Sequence, residues 1–172
     1  MIRKTVSTDI EPIMAIVHDA QQALRELGID QWQNGYPTRD IILGDIADGV
    51  GFVCVDGEGT VLGYVAIVLT GEVVYKQLDD SAWHTGEDYV VVHRLCVKSG
   101  SYRKGVATAL MRYAADCARK HAFTGFRIDT HRGNTRMLNM LATLGFEPTG
   151  VIDYDGSERV AYDLNLGLSK IL

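Results

Sequence analysis

One strand, loop and helix in succession constrain this chain more than any other feature. The apolar run from Tyr89 to Val97 predicts a buried strand, and after a short polar loop Gly105 opens a helix. The first-turn N–H groups of a helix lack partners within it, and the macrodipole adds partial positive charge there. Arg103 and Lys104 add two full charges, and Gly105 permits close backbone approach. The loop therefore predicts a site for a phosphate-bearing cofactor.

Two common nucleotide motifs do not fit this loop. Gly100 and Gly105 have the spacing of a P-loop, but Val106 and Ala107 stand where Lys and Ser or Thr are needed. The stretch Asp56 to Gly59 lies between two strand-like runs, so its glycines indicate a hairpin turn and not a dinucleotide fingerprint. An ordinary glycine-capped turn between strand and helix stays as the alternative to a cofactor loop.

A second informative segment follows that helix. Alternating residues predict a strand with Arg127, Asp129 and His131 on one face. Asn134 is placed as the N-cap of a helix, and Gly145 as its left-handed C-terminal cap. The segment therefore predicts a strand, a short turn and a capped helix.

Together the two segments resemble the two signatures of the GNAT superfamily of N-acyltransferases, in family order and at family distance. The first signature is the acetyl-CoA loop, Gln/Arg-x-x-Gly-x-Gly/Ala. Gly105 and Ala107 match it, whereas Tyr102 replaces the Gln or Arg. The second is an asparagine followed eleven and twelve residues later by Gly-Phe, which Asn134 and the pair Gly145 to Phe146 match.

The resemblance implies the fold. It is an α/β (α+β) GNAT fold, with a mixed, mostly antiparallel central sheet and helices on both faces. Strands four and five splay apart in this family, and the pantetheine arm of the cofactor inserts between them. We expect a single GNAT N-acetyltransferase domain over residues 1–172, since a chain of this length buries a good core.

The periodicity and the turn residues predict elements in an order that fits this fold. The first half has a strand at Ile2 to Val6 and a helix that begins with the capping box Thr8 to Glu11, runs to Leu27 and is closed by Gly28. A helix at Arg39 to Ala47, capped by Thr38, and strands at Phe52 to Val55 and Val61 to Leu69 follow. The second half has an irregular stretch at 70–88, a helix at Val106 to His121, a strand at 126–131, a helix at 135–144, and a hairpin of Thr149 to Tyr154 and Arg159 to Leu166 that turns at Asp155 and Gly156.

Composition excludes several other classes of protein. The chain is 47% hydrophobic and 23% charged, which is ordinary for a soluble domain, and no apolar run approaches the roughly 20 residues that span a bilayer. Its first residues indicate a strand and not a signal peptide. Cys54, Cys96 and Cys117 are odd in number and widely spaced, and the five histidines lack metal-type spacing. We therefore expect reduced thiols, a cytoplasmic location, no metal and no membrane.

The net charge of −5 argues against nucleic acid as the main partner and favours cationic substrates.

The resemblance also implies acetyl-CoA as co-substrate and the residues that bind it. Main-chain groups of Leu95, Cys96 and Val97 should pair with the pantetheine arm. The diphosphate should lie on the N–H groups of Tyr102, Arg103, Lys104, Gly105, Val106 and Ala107. Asn134 stands where the family has an asparagine that contacts the cofactor, although a plain N-cap role accounts for it equally well.

Three residues are candidates for the catalytic base: His93, Asp129 and His131. By resemblance, His93 stands where some members carry a catalytic histidine, and Asp129 where others carry a glutamate. An aspartate would need its pKa raised from about 3.9 by roughly 3 units to act near pH 7, whereas a histidine starts near about 6.5. We therefore favour His93, directly or through water, and expect Asp129 to bind the cationic amine or to orient a histidine. A hydrogen-bonded core histidine and a polar strand end are the structural alternatives.

The general acid is harder to place. The family often has a tyrosine seven residues after the motif asparagine, and here that residue is Leu141. Either Tyr154 or Tyr162 supplies the proton, or none is needed, because a free thiol titrates near about 8.5.

The resemblance places the acceptor amine against Trp32, Gln33 and Tyr36, with the segment from Tyr75 to His84 as a cover. Arg94 and Arg127 could hold a substrate carboxylate or be solvated strand residues. We expect an acetyl-CoA-dependent N-acetyltransferase that acts on a small primary amine by direct attack. The alternatives are an acyl-CoA-binding regulatory module without turnover and a protein N-terminal acetyltransferase. A homodimer through the C-terminal hairpin is compatible with the resemblance.

Overall fold

The computed structural model describes residues 1–154 and 156–169. The strands are β1 (Ile2–Lys4), β2 (Gly51–Val55), β3 (Val61–Val68), β4 (Tyr89–Val97), β5 (Gly125–Thr130), β6 (Glu147–Tyr154) and β7 (Ser157–Asn165). The helices are α1 (Ile10–Glu26), α2 (Arg39–Ala47), α3 (Val106–Lys120) and α4 (Thr135–Leu144). Short 3₁₀ turns lie at Ser7–Asp9, Val73–Gln77, Asp80–Ala82 and Ser99–Ser101.

The seven strands form one sheet in the order β1-β2-β3-β4-β5-β7-β6, and helices flank it. β4 and β5 pair in parallel, whereas the β1–β2, β2–β3, β5–β7 and β6–β7 pairs are antiparallel. The predicted fold class, a mixed and mostly antiparallel sheet with flanking helices, is confirmed. Within the described ranges, no helix has the length and apolar character needed to cross a bilayer.

The chain divides into two compact units, and the first comprises Met1–Ile67 and Val92–Tyr113. Its core forms where the apolar stripe of α1, including Ile13, Ile16 and Val17, packs with residues of β2 and β3. Gly63 of β3 lies under the start of α3. A Cβ there would stand 2.9 Å from Val106 Cγ1 and 3.0 Å from the Cys96 carbonyl oxygen, so only glycine lets the helix approach this closely.

The second unit has described residues 68–91, 114–154 and 156–169. Its core includes Tyr75, Trp83, Val91, Ile152 and Ala161, which come from the irregular stretch, β4, β6 and β7. The irregular stretch therefore contributes the aromatic part of a core, and its side chains are not simply solvent-exposed loop residues.

Local signals predicted the caps well, with one exception. Thr38 accepts a hydrogen bond from the Ile41 N–H and Asn134 from the Met137 N–H, while Gly145 is left-handed with φ 84°, all as predicted. The predicted capping box from Thr8 to Glu11 is wrong. A 3₁₀ turn occupies Ser7–Asp9 before α1, and the Asp9 carboxylate accepts the hydrogen bond from the Val6 N–H.

Most predicted boundaries shift by only a few residues. β1 ends at Lys4 and not at Val6, because pairing with β2 covers only Ile2 to Lys4. β5 ends at Thr130, so His131 lies just beyond the strand. Asp155, which was predicted to share the final hairpin turn with Gly156, lies outside the described residues.

Candidate active site

The predicted cofactor loop is a compact, charged turn in the first unit. It begins with the 3₁₀ turn Ser99–Ser101 and ends where Val106 starts α3. Arg103 and Lys104 are exposed. The backbone of Arg103 is left-handed, with φ 61°, a conformation that costs a non-glycine residue of order 1–2 kcal/mol. Strain of this kind concentrates at ligand-binding turns.

The backbone and the surroundings of Gly105 show whether this loop has room for a diphosphate. Its φ of 78° favours glycine, yet a Cβ built there would meet no protein atom within 4 Å. The space beside it is therefore not filled by the protein, and it adjoins the first turn of α3 and two exposed cations. Backbone N–H groups at a helix start together with Arg and Lys are the chemistry that a diphosphate needs. The residues present fit such a group.

The end of β4 offers backbone groups and not a reactive thiol. Leu95 and Val97 are half-buried, and Cys96 is buried. Burial raises the pKa of the Cys96 thiol to about 12, only partly opposed by its hydrogen bond with the Tyr64 backbone. Cys96 therefore stays a neutral thiol at physiological pH and is a packing residue rather than a nucleophile.

Arg94, two residues before Cys96 on β4, makes a forked contact with Asp45 of α2. Its Nε donates to Asp45 Oδ2 at 2.8 Å and its Nη2 to Oδ1 at 2.6 Å. Its Nη1 donates to the Tyr36 hydroxyl at 2.7 Å, and the Tyr64 hydroxyl also donates to Asp45. The Arg94 and Asp45 side chains are only 12% and 8% exposed. Since a protein carboxylate already occupies its fork, Arg94 is not available to hold a substrate carboxylate in this arrangement.

The electrostatics of this cluster follow from its contacts. Burial works to lower the pKa of the Arg94 guanidinium, but Tyr36 and Asp45 outweigh burial and the net pKa is raised. Burial, and then the bond to Asp45, raises the pKa of the Tyr64 hydroxyl well above its usual value. Arg94 is therefore a permanent cation, and Tyr64 a permanent donor.

His93, the favoured base, precedes Arg94 on β4 and is half-buried. Arg94 has a left-handed φ of 57°, which is unusual for a non-glycine residue within a strand. The forked contact with Asp45 stabilises this conformation, because a change that separated the two side chains within the fold would leave two buried charges without their partners. The backbone next to His93 is thus fixed by a contact 49 residues away in sequence.

The candidate acceptor residues lie on a loop tied to α1. Gln33 Nε2 donates to the carbonyl oxygens of Gln21 at 2.9 Å and Gln31 at 3.1 Å, while its Oε1 accepts from Arg25 at 2.9 Å. The rings of Trp32 and Tyr36 lie 6.2 Å apart, centroid to centroid. Gln33 therefore holds the loop on the helix, whereas Trp32 and Tyr36 contribute its aromatic surface.

In the second unit, Arg127 is enclosed by aromatic rings. Its guanidinium carbon lies 3.9 Å from the centroid of Trp83 and 3.8 Å from that of Tyr89. Its Nη2 donates to the carbonyl oxygens of Thr85 and Gly86 at 3.0 and 2.9 Å. The residue is 6% exposed, and burial lowers the pKa of the guanidinium. Of the two alternatives for Arg127, the solvated strand residue is therefore wrong, because residues of the irregular stretch cover this face of β5.

Two residues further along β5, Asp129 is half-buried and accepts a hydrogen bond at 2.9 Å from the hydroxyl of Tyr75. Tyr75 is 2% exposed, and burial followed by the Asp129 charge raises the pKa of its hydroxyl well above the usual value. Beyond the strand, His131 Nδ1 accepts from the Gly133 N–H at 2.9 Å. The turn from His131 to Asn134 is thus internally bonded and leads directly into α4.

The three catalytic candidates are divided between the two units. Asp129 and His131 lie in the second unit and His93 in the first. Leu141 is fully buried in α4, and the two tyrosines named as alternative acids, Tyr154 and Tyr162, are half-buried strand residues.

Sequence reasoning missed Asp45 and Tyr75. Asp45 follows Ile41, Ile42 and Leu43 in an apolar helix, and an acid in such a run is a signal for a buried ion pair. Tyr75 had no such signal, because its partner lies 54 residues away.

Among residues 1–154 and 156–169, no group of three or more His, Cys, Asp and Glu side chains is arranged to hold a metal ion.

Comparisons with known proteins decide the family. The model of the acetyltransferase (GNAT) family matches residues 17–146. The chain belongs to the GNAT family of acetyltransferases. The recognition made from the two signatures is confirmed, and this family uses acetyl-CoA. The search of curated proteins found no match.

Solved structures agree with this assignment. A GNAT-family acetyltransferase of Streptococcus agalactiae 2603 is 30% identical, with a TM-score of 0.84, and the match covers 96% of this chain and 94% of that one. A GNAT-family acetyltransferase of Listeria monocytogenes 4b F2365 shares the fold at 19% identity and a TM-score of 0.73, covering 96% and 94% of the two chains. The PaiA N-acetyltransferase of Thermoplasma acidophilum, solved in complex with coenzyme A, shares it at 18% identity and a TM-score of 0.69, covering 96% and 98%.

Proposed function

We propose that this GNAT protein is a single-domain N-acetyltransferase that transfers the acetyl group of acetyl-CoA to a primary amine of a small molecule. The observation that carries the proposal is the charged turn before α3, with its left-handed Arg103 and its open space beside Gly105. The coenzyme A bound to the Thermoplasma acidophilum protein of the same fold supports the choice of co-substrate.

In this proposal the backbone N–H groups from Tyr102 to Ala107 bind the diphosphate, with Arg103 and Lys104 matching its charge. Main-chain groups of Leu95 to Val97 pair with the pantetheine arm. Asn134 acts as the N-cap of α4, where its side chain accepts from the Met137 N–H at 3.3 Å.

Starting from the ammonium form, two protons leave the amine nitrogen and one reaches the thiolate. The neutral amine nitrogen attacks the thioester carbonyl carbon, a C–N bond forms and the C–S bond breaks. His93 accepts the proton of the amine, directly or through a water, and Asp129 binds the cationic amine before it is deprotonated. We assign no protein acid to the thiolate, because Leu141 cannot donate a proton. The nitrogen loses its second proton to water as the C–S bond breaks, and the thiolate takes up a proton from water, since a free thiol titrates at about 8.5.

Thermal unfolding with and without millimolar acetyl-CoA tests the co-substrate. Ligand at 100 times its dissociation constant should stabilise the folded chain by about 2.7 kcal/mol, which raises the midpoint by several degrees. Arg103→Ala combined with Lys104→Ala should remove most of this shift. Lys120→Ala, in the last turn of α3, is the matched control and should keep it. No shift with acetyl-CoA, CoA or longer acyl-CoAs in the wild type would overturn the proposal.

A screen of amines, followed by the release of free CoA thiol, then tests turnover. His93→Ala should lower the turnover rate by a factor of about ten to a hundred or more, and should keep the rise of the unfolding midpoint with acetyl-CoA. His121→Ala, at an exposed histidine after α3, is the control. Leu141 and Tyr102 favour one other function, an acyl-CoA-binding module without turnover. Acetyl-CoA binding without thiol release from any small amine or peptide N-terminus would support that module instead.

A further inference from the structure

Tyr75 places a buried hydroxyl on a residue of the candidate site. Its ring is 2% exposed, and its Oη donates to Asp129 Oδ2 at 2.9 Å. A buried hydroxyl without a partner is destabilising, and a carboxylate is a stronger acceptor than a neutral group. The position of Tyr75 in the core therefore fixes where this carboxylate oxygen can lie.

The turn that carries Tyr75 is anchored by contacts that do not involve Asp129. The Gln77 side-chain amide donates to the Asp153 carbonyl oxygen and accepts from the Asp153 N–H, both at 2.8 Å, in the manner of a neighbouring strand on the edge of β6. Leu78 packs against Gly150, where a Cβ would stand 2.7 Å from Leu78 Cδ2. The hydroxyl is therefore held in place before any ligand contacts Asp129.

The ring itself is held by packing. Its centroid lies 5.2 Å from that of Trp83 and 6.3 Å from that of Tyr89, and these two rings also enclose Arg127. A phenylalanine at position 75 would keep these ring contacts and remove only the donor. The hydroxyl can thus be tested apart from the core.

We propose that Tyr75 is a positioning residue that fixes the Asp129 carboxylate and favours its ionised form, so that a cationic amine meets an anion held in one orientation. This inference rests on the proposed function, in which Asp129 binds the amine. It adds a residue from the irregular stretch, outside both family signatures, to the machinery of the site.

Other charged and titratable groups lie near Tyr75 and along the strands that carry and flank Asp129, and Tyr75→Phe replaces none of them. They are Glu72 and Tyr89 near Tyr75, Arg127 and His131 on either side along the chain, and Arg159 and Asp163 on β7, two positions from the cross-strand partner Ala161. A shift seen in a hydroxyl-deletion variant therefore reports the lost donor and not a change in these groups.

The test is a pH titration of the Asp129 side-chain carboxyl carbon by NMR, with the signal assigned by its loss in Asp129→Asn. In Tyr75→Phe the titration midpoint should rise by about one pH unit, because one hydrogen bond to the charged form is lost. Tyr89→Phe removes a hydroxyl from the same aromatic cluster, where it accepts from the Glu72 N–H, and should leave the midpoint unchanged. An unchanged midpoint in Tyr75→Phe overturns the proposal.

Turnover gives an independent readout with the most active primary amine of the screen. In Tyr75→Phe the KM for this amine should rise by roughly fivefold while kcat changes little, because Asp129 binds the amine and His93 accepts its proton. The thermal shift with acetyl-CoA should stay at the wild-type value. If no amine turns over, the proposed function fails, but the NMR midpoint still decides the role of Tyr75. Gln77→Ala, at an exposed residue, loosens the same turn and should give a smaller rise, so the test stands even if Tyr75→Phe folds poorly.

Discussion

Arg94 in the first unit and Arg127 in the second are both largely removed from solvent, and they are held by different physics. In the first unit, Arg94 makes a forked contact with Asp45, and the net pKa of its guanidinium is raised. In the second, Arg127 lies between the rings of Trp83 and Tyr89 and caps two carbonyl groups, and burial lowers its pKa. The same side chain is thus held once by a carboxylate that fills its fork, and once by ring faces and backbone carbonyl groups with the charge of Asp163 in support.

This difference predicts how strongly a substitution in the Arg94 cluster or in the Arg127 cluster lowers the stability of the fold. A buried ion pair is strongly destabilised when one charge is removed alone, because the other charge stays buried. Arg127 depends less on a single partner, since two rings and two carbonyl groups share its contacts and Asp163 keeps its own hydrogen bonds to His84 and Thr85. The contrast predicts a graded series of mutational effects.

The largest effect is expected at Asp45. Asp45→Ala leaves the Arg94 guanidinium and the Tyr64 hydroxyl buried without their shared acceptor, which should lower the free energy of unfolding by about 3–5 kcal/mol. Urea unfolding measures this loss, and Asp40→Ala, at an exposed aspartate of α2, should change it by less than about 0.5 kcal/mol.

The double variant Asp45→Leu with Arg94→Met sharpens this test. It should recover part of the lost stability, because neither charge is then buried, whereas the Tyr64 hydroxyl still lacks its acceptor. If the free energy of unfolding of Asp45→Ala lies within about 1 kcal/mol of the wild-type value, the forked pair does not hold this unit together and the contrast with Arg127 is wrong.

A smaller effect is expected at Arg127. Arg127→Lys keeps the charge but loses the planar group stacked between two rings, so a loss of about 1–2 kcal/mol is expected. The chain has two tryptophans, Trp32 and Trp83, so Trp32→Phe leaves Trp83 as the single fluorescent reporter of this cluster. The fluorescence emission of Trp83 should move to longer wavelength when Arg127→Lys is added to Trp32→Phe. Arg94→Lys added to Trp32→Phe should leave the Trp83 emission unchanged.

Much of this fold could be predicted from local sequence, and the two arginine clusters could not. Thr38, Asn134 and Gly145 signal helix ends through bonds that span only a few residues, and they were placed correctly. Arg127 alternates with apolar residues and so was expected on a polar face, but tertiary contacts with Trp83 and Tyr89 bury that face. Pattern reasoning describes one element at a time, whereas contacts between residues far apart in sequence depend on the assembled fold.

The candidate site divides in the same way. The cofactor loop is a local strand-to-helix feature, so the chain itself carries its signature from Val97 to Ala107. The surroundings of His93 and Asp129 depend on Asp45 and Tyr75, whose partners are 49 and 54 residues away. Neither partner could be read from spacing.

The smallest effect is expected at a third arginine, Arg3, which repeats the forked geometry of Arg94 near solvent. Its Nη1 and Nη2 donate to Asp9 Oδ2 and Oδ1 at 2.7 and 2.8 Å, but its side chain is 34% exposed against 12% for Arg94. Arg3→Ala should therefore lower the free energy of unfolding by no more than about 1 kcal/mol, and added salt should reduce this further.

The pH dependence of that loss separates the Arg3 pair from the buried one. The hydrogen bond from Arg3 lowers the pKa of Asp9 below its ordinary value. The pair therefore stabilises the fold fully above the ordinary aspartate pKa of about 3.9, and this contribution disappears as the pH falls through the lower folded-state value. Urea unfolding at pH 7 and pH 3 should show the difference between wild type and Arg3→Ala shrinking at the lower pH. A loss at pH 7 as large as that of Asp45→Ala would mean that fork geometry, and not burial, sets the strength of these pairs.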